Sequence, residues 1–122
     1  VPIVPYNIRR SCDIITEYYR NIVKVGCTPL TMGGDHTLTY PILRAMKEKY
    51  GTVGLIQVDA HHDLQDNMMG EPIAHGTPFR RALEEGLIDP TKMFQIGLRG
   101  SMYSPEEAQE NFIEAQLFKI TF

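Results

Sequence analysis

The stretch Val53-Gly-Leu-Ile-Gln-Val-Asp-Ala-His-His-Asp-Leu-Gln-Asp66 joins an apolar run to a cluster of charged, metal-competent side chains. Residues 53–58 form a short apolar run with β-branched content, the pattern of a buried strand covered on both faces. The run stops abruptly at Asp59, His61 and Asp63, which recur at every second position. If the chain stays extended there, a period of two points all three side chains the same way. Carboxylates gathered in one small volume need either a cation or basic partners. A metal is the preferred reading. The motif alone leaves open that both aspartates cap a loop and His61 is a surface imidazole.

Working outward, two further segments deliver chemistry to the same place. Residues 29–32 read as a short strand running into Gly33-Gly34-Asp35-His36. The glycines are expected to supply unusual backbone angles for a tight turn that presents His36 at the strand end. Asp35 is expected to orient His36 or its turn rather than bind metal. A helix over residues 37–50 follows, with Pro41 in its first turns and Gly51 closing it. Downstream, residues 67–74 read as a loop able to rim a site. Thr77 as N-cap and Pro78 at the first helical position open a helix that stops at Gly86. His75 therefore precedes a helix N-terminus, where the dipole disfavours its cationic form.

The remaining elements complete an alternation of helix and strand. Residues 7–25 carry Ile8, Cys12, Ile15, Tyr19, Ile22 and Val23 at helical spacing, and Gly26 ends that helix. Asp89-Pro90 marks a turn before a strand over residues 93–98, whose tail carries Arg99. An arginine there pairs with a carboxylate or a helix end and would repel a cationic substrate, so it stays outside the catalytic set. Ser104-Pro105-Glu106-Glu107 is a capping box opening a helix to about residue 116, and residues 117–122 read as a last strand. The pattern predicts an α/β fold, a parallel sheet with helices on both faces, and ligands sit at the carboxyl ends of the strands in such sheets.

Composition sets the outer limits. The chain has 122 residues, a formal charge of −3 and 43% apolar residues, which points neither to nucleic acid nor to an anionic membrane surface. No apolar run is long enough to span a bilayer. Cys12 and Cys27 form no metal-type pair and have no activating base, so they read as reduced structural thiols. The chain begins at Val1-Pro2 and ends inside an expected strand, so it reads as one partial domain over residues 1–122, cut at both ends.

All four histidines, His36, His61, His62 and His75, fall in the edge segments. Mixed imidazole and carboxylate donors suit Mn, Fe or Zn, and the carboxylate share favours Mn. His62, out of phase with Asp59 and Asp63, reads as structural.

Met32-Gly-Gly-Asp-His-Thr-Leu-Thr-Tyr-Pro-Ile-Leu43, Asp59-Ala-His-His-Asp63, His75-Gly-Thr-Pro-Phe-Arg-Arg-Ala82 and Gln95-Ile-Gly-Leu-Arg-Gly-Ser101, in that order, resemble the ureohydrolase superfamily, closest to its agmatinase branch. The resemblance implies the arginase-like α/β/α three-layer fold, partial here, and a hydrolase with two Mn2+ ions per complete site. It implies that His36 and Asp63 bind one Mn, His61 the other, and Asp59 bridges both, while His75 assists proton transfer. The implied reaction is agmatine plus water to putrescine plus urea through a bridging hydroxide, a step of polyamine metabolism. Alternatives are the same chemistry on guanidinobutyrate, guanidinopropionate or arginine, and a noncatalytic relative used for assembly or regulation. The Gly-Thr-Pro-Phe-Arg-Arg segment disfavours a deacetylase. An Asp-x-Asp segment and a substrate-binding glutamate that the family places later in the fold are absent from these 122 residues, and His62 stands where the family commonly has a small residue. The whole enzyme is expected to be a homo-oligomer of the cytoplasm, or of mitochondria where a transit peptide precedes Val1.

Overall fold

The computed structural model describes residues 1–100 and the strand at 118–120. Helix α1 spans Ile8–Lys24. Asn7 caps it, its side chain accepting the Arg10 N–H at 3.0 Å. Cys12, Thr16, Tyr19 and Val23 form its buried stripe and lie against α2, Thr39–Tyr50, which buries Tyr40, Pro41, Leu43 and Ala45. Polar bonds pin the pair. Thr16 Oγ1 donates to the Pro41 carbonyl at 3.2 Å, and Arg20 forks onto Glu48 at 2.7 and 2.5 Å. Lys49 Nζ donates to the Val23 carbonyl, which also accepts the Gly26 N–H at 3.1 Å at the end of α1.

A three-residue 3-10 turn, His36–Leu38, leads directly into α2. Pro41 thus sits in the first α-helical turn, where its missing N–H leaves no bond unmade. Strand β1, Val53–Val58, then enters the sheet. Helix α3, Pro78–Glu84, is followed by β2, Ile88–Ile96, and by β3, Phe118–Ile120. The order is β1-β2-β3 and both pairings are parallel. The fold is α/β, as the alternation of apolar periods requires.

The register aligns Leu55 with Met93, Ile56 with Phe94, Gln57 with Gln95 and Val58 with Ile96. Met93, Gln57 and Gln95 are buried on one face, with Leu55 half-buried among them. The core there joins Cys12, Tyr40, Leu43, Leu64, Phe79, Ala82 and Ile88. Complete burial of a side chain such as Phe79 contributes roughly 1.5–3 kcal/mol. Ile56 and Val58 on the opposite face are 73% and 78% exposed among the described residues. The helix expected over residues 104–116, which would supply a further helical layer, lies outside the described residues.

Three local expectations change. Residues 29–32 form no strand, and Leu30 and Met32 are 94% and 95% exposed. A segment as short as Pro29-Leu30-Thr31-Met32 becomes a strand only where a neighbour accepts its ladder bonds, and none does so among the described residues. The strand expected over 93–98 starts earlier, at Ile88, and ends at Ile96. Asp89-Pro90 is not a turn ahead of the strand but lies inside β2, where the register slips between Val53 and Leu55 and Asp89 Oδ1 accepts the Thr91 N–H at 3.0 Å and its hydroxyl at 2.6 Å. Thr77 does precede α3, but its side chain makes no cap bond. Its hydroxyl is fully buried and bonds the Pro72 and Ala74 carbonyls at 2.9 and 3.0 Å, tying down the preceding loop.

Candidate metal centre

The site forms where β1 runs out. The Asp59 N–H still reaches the Ile96 carbonyl at 3.0 Å, one residue beyond the strand. The chain then bends, because Asp59 Oδ1 accepts the His61 N–H at 2.9 Å in an Asx-type turn. Ala60 anchors the bend, its carbonyl accepting the N–H groups of Arg99 and Gly100 at 3.0 and 2.8 Å. Asp63 follows with φ of +52°, a left-handed conformation that aspartate tolerates better than most residues. Its carbonyl accepts the Phe79 N–H at 3.2 Å, one of the orphan donors of α3. The period-of-two expectation is therefore corrected. The residues after Asp59 do not continue as an extended strand; a turn supplies the convergence.

His36 arrives from the other side. Asp35 caps its 3-10 turn by accepting the Thr37 N–H at 2.8 Å. Neither Gly33 nor Gly34 has positive φ. A Cβ on Gly33 would stand 2.1 Å from Leu38 Cδ2 and require that side chain to shift, while one on Gly34 would meet nothing within 4 Å. The His36 ring stands edge-on to Phe79 with centroids 5.4 Å apart, so the core of α3 sets its position.

The outcome is a group of three. Donor atoms of His36, Asp59 and Asp63 all lie within 4.8 Å of one another. His36 Nδ1 is 2.6 Å from Asp63 Oδ2 and 4.0 Å from Asp59 Oδ2. His61 stands apart from that group, with an exposed ring whose Nδ1 is 3.5 Å from Asp59 Oδ1. The two oxygens of Asp59 thus face different imidazoles. Among the described residues no lysine or arginine is paired with Asp59 or Asp63. The donor chemistry fits a divalent cation, which would neutralise carboxylates that have histidine, amide and backbone N–H partners but no lysine or arginine among the described residues.

His75 sits across a pocket of about 240 Å³ whose lining includes His61, Asp63, Met68 and Gly76. Its Nδ1 is 3.8 Å from Asp35 Oδ2, beyond hydrogen-bond distance, and its side chain is exposed. His62 is buried, with Nδ1 accepting the Leu64 N–H at 3.0 Å, which suits the structural role its phase suggests. Arg99 turns back on its own chain, Nη1 donating to the Gly97 carbonyl at 3.0 Å.

Two residues escaped sequence reasoning. Gln57 and Gln95 lie beneath the site, and Gln57 Nε2 reaches the His61 carbonyl at 3.1 Å and Asp63 Oδ2 at 3.4 Å. The available signal was a glutamine near the end of each of two apolar runs.

Electrostatics follow from these contacts. Burial pushes the Asp59 carboxyl up, but the His61 N–H, the Gln57 amide and the neighbouring imidazoles outweigh it and hold Asp59 below the usual range. For His36 the hydrogen bond to Asp63 outweighs burial and raises the imidazole above its ordinary value. A raised folded pKa means that the protonated form stabilises the metal-free fold. That contribution is complete below the unfolded pKa of about 6.5 and is lost as pH rises through the folded value. A divalent cation held by this group would compete with the proton for this nitrogen, so the affinity for such a cation would rise with pH through the same window. Calorimetric titration in buffers of different protonation enthalpy should show proton release at pH 6 that vanishes once His36 is neutral. Proton-independent binding would contradict the assignment of His36 as a ligand.

A family model for the arginase family matches residues 1–121. The chain belongs to the arginase family. Over 100 residues it is 58% identical to the mitochondrial agmatinase of Gallus gallus, covering 82% of this chain and 29% of that protein. It is 57% identical over 96 residues to the mitochondrial guanidino acid hydrolase of Homo sapiens, covering 79% and 27%, and 50% identical over 120 residues to the guanidinobutyrase of Pseudomonas aeruginosa, covering 98% and 37%. The chain therefore spans about a third of the length of these relatives. Among solved structures, the proclavaminate amidino hydrolase of Streptomyces clavuligerus superposes with a TM-score of 0.89 at 32% identity, covering 99% of this chain and 40% of that one. A Trypanosoma cruzi formiminoglutamase solved with Mn2+ shares the fold, with a TM-score of 0.81 at 24% identity over 98% of this chain and 40% of its own. The arginase-family fold and the relatedness to guanidino hydrolases follow directly from these likenesses. Among the described residues no helix is long and apolar enough to cross a membrane.

Proposed function

We propose that the protein containing this chain is a two-metal guanidino hydrolase that releases urea from a small linear guanidino compound, with manganese as its metal. The observation that carries this reading is the orientation of Asp59, whose two oxygens point to His36 at 4.0 Å and His61 at 3.5 Å. That is how a carboxylate shared between two cations would be presented. His36 and Asp63 would hold one ion and His61 the other. A bound pair of divalent cations would supply a water nucleophilic at neutral pH and offset charge developing on the substrate. His75, across the pocket and within reach of solvent, would carry a proton to the departing amine. The structural alternative for that position, a cap on α3, loses weight because the turn at 74–77 is held by Thr77 instead.

Agmatine was the first substrate suggested by the motifs. Two of the three relatives above are named for guanidino acids, including the one matched over 98% of this chain, and we place a guanidino acid such as 4-guanidinobutyrate ahead of agmatine. The two substrates share the reacting group and differ in the charge at the far end, an anion against a cation. A noncatalytic role is disfavoured by the intact His36, Asp59 and Asp63 group. The test is urea release by the full-length enzyme, stripped of metal and reloaded with Mn2+, across agmatine, arginine, guanidinobutyrate and guanidinopropionate. Activity on guanidinobutyrate at least tenfold above agmatine is expected. Preference for agmatine would make agmatine the substrate, and no urea from any of them contradicts the function.

A further inference from the structure

Gln57 and Gln95 stand where the sheet beneath the site could be apolar. They face each other in register across β1 and β2 and are 6% and 0% exposed, on the same face as Leu55 and Met93. A buried amide is costly unless bonded, and a leucine would fill such a place without that cost. The bonds show what the amides do. Gln95 Nε2 donates to Gln57 Oε1 and, at 2.6 Å, to the His62 carbonyl. Gln57 Nε2 donates to the His61 carbonyl at 3.1 Å and extends to Asp63 Oδ2 at 3.4 Å. Both carbonyls lie on the turn that joins Asp59 to Asp63. Gln95 Oε1 has no partner among the described residues, so its donor side is the one in use. A turn that ends in a left-handed aspartate keeps its shape only if its surroundings impose it.

We propose that Gln57 and Gln95 are positioning residues of the metal centre, a cross-strand amide chain that fixes the 61–62 carbonyls and the Asp63 carboxylate at the geometry a cation requires. The proposal rests on the two-metal reading given above. Ligands must be held to within about 0.5 Å for tight binding, and bonding partners of metal ligands are where such precision is set.

The experiment compares the full-length wild type, Gln95→Leu, Gln57→Leu, the double variant and Leu55→Ala. Leu55→Ala weakens the same sheet face without touching the amides. Each metal-free protein is checked by circular dichroism and melting, then titrated with Mn2+ by calorimetry and by Mn2+ electron paramagnetic resonance. Each glutamine variant is expected to lose roughly 10- to 100-fold in Mn2+ affinity, with an altered resonance line shape, while its metal-free fold is retained by circular dichroism and its melting temperature is lowered only modestly by the buried partners left unbonded. The double variant should lose no more than the worse single one, since both act through one chain. Leu55→Ala should melt lower and bind Mn2+ as the wild type does. If Gln95→Leu fails to fold, Gln57→Leu decides the matter from the other end of the chain. Affinity within twofold of wild type in the folded glutamine variants, or an equal loss in Leu55→Ala, overturns the proposal. A wild type that takes up no Mn2+ overturns the two-metal reading beneath it, and that outcome is distinguished by the wild-type titration alone.

Discussion

Asp59→Asn in the full-length enzyme is expected to reduce urea release to below roughly a thousandth of wild type and to deplete bound metal. The amide is nearly the same size as the carboxylate, so packing at the end of β1 should survive, and the bond to the His61 N–H can be kept by the amide oxygen. What is lost is the negative charge facing His36 on one side and His61 on the other. A shared ligand differs from its neighbours in that its removal weakens both ions together. His62→Thr is the informative comparison, because that imidazole is buried and bonded to the Leu64 N–H. It should cost about 1 kcal/mol of stability and leave metal content near wild type. Equal metal loss in the two variants would show that Asp59 is not the bridging ligand.

His75→Ala should lower kcat by roughly a hundredfold or more while metal content and melting temperature stay near wild type, since positioned acid–base groups typically supply 10² to 10⁴. The geometry sharpens this expectation. His75 is exposed at the pocket, 3.8 Å from Asp35, and the loop before α3 is secured by the Thr77 hydroxyl. Little stability therefore depends on the imidazole. If it served to anchor α3, the substitution would lower stability by about 1 kcal/mol and leave kcat nearly unchanged. Measuring kcat and melting on one preparation separates the two cases, and an unchanged kcat would remove His75 from the catalytic machinery.

Among the described residues α1, α2, β1, α3 and β2 were legible in order, the apolar periods marking α1 and the strands and Thr77, Pro78 and Gly86 marking α3. The stripe from Cys12 to Val23 and the runs at 53–58 and 93–96 could not serve another element. The segment at 29–32 was misread because a strand is a property of a pair, and its composition says nothing about whether a partner is present. At the site, residue identity carried further than local geometry. His36, Asp59 and Asp63 do converge, yet through an Asx turn and a left-handed aspartate, not through strand alternation. Turn formation here depends on Ala60 being held by residues 99–100 and Asp63 by α3, contacts between segments distant in sequence. Gln57 and Gln95 were overlooked for the same reason. A lone glutamine in an apolar run looks like a tolerated exception, and only the register places the two opposite each other.

In the proposed centre Asp59 lies between two cations. Crystals of the full-length protein grown with Mn2+, measured with anomalous diffraction at the manganese edge, test it most directly. Two peaks are expected, one bounded by His36 and Asp63 and one beside His61, with the Asp59 carboxylate in contact with both. A single peak, or two peaks of which only one touches Asp59, would contradict it.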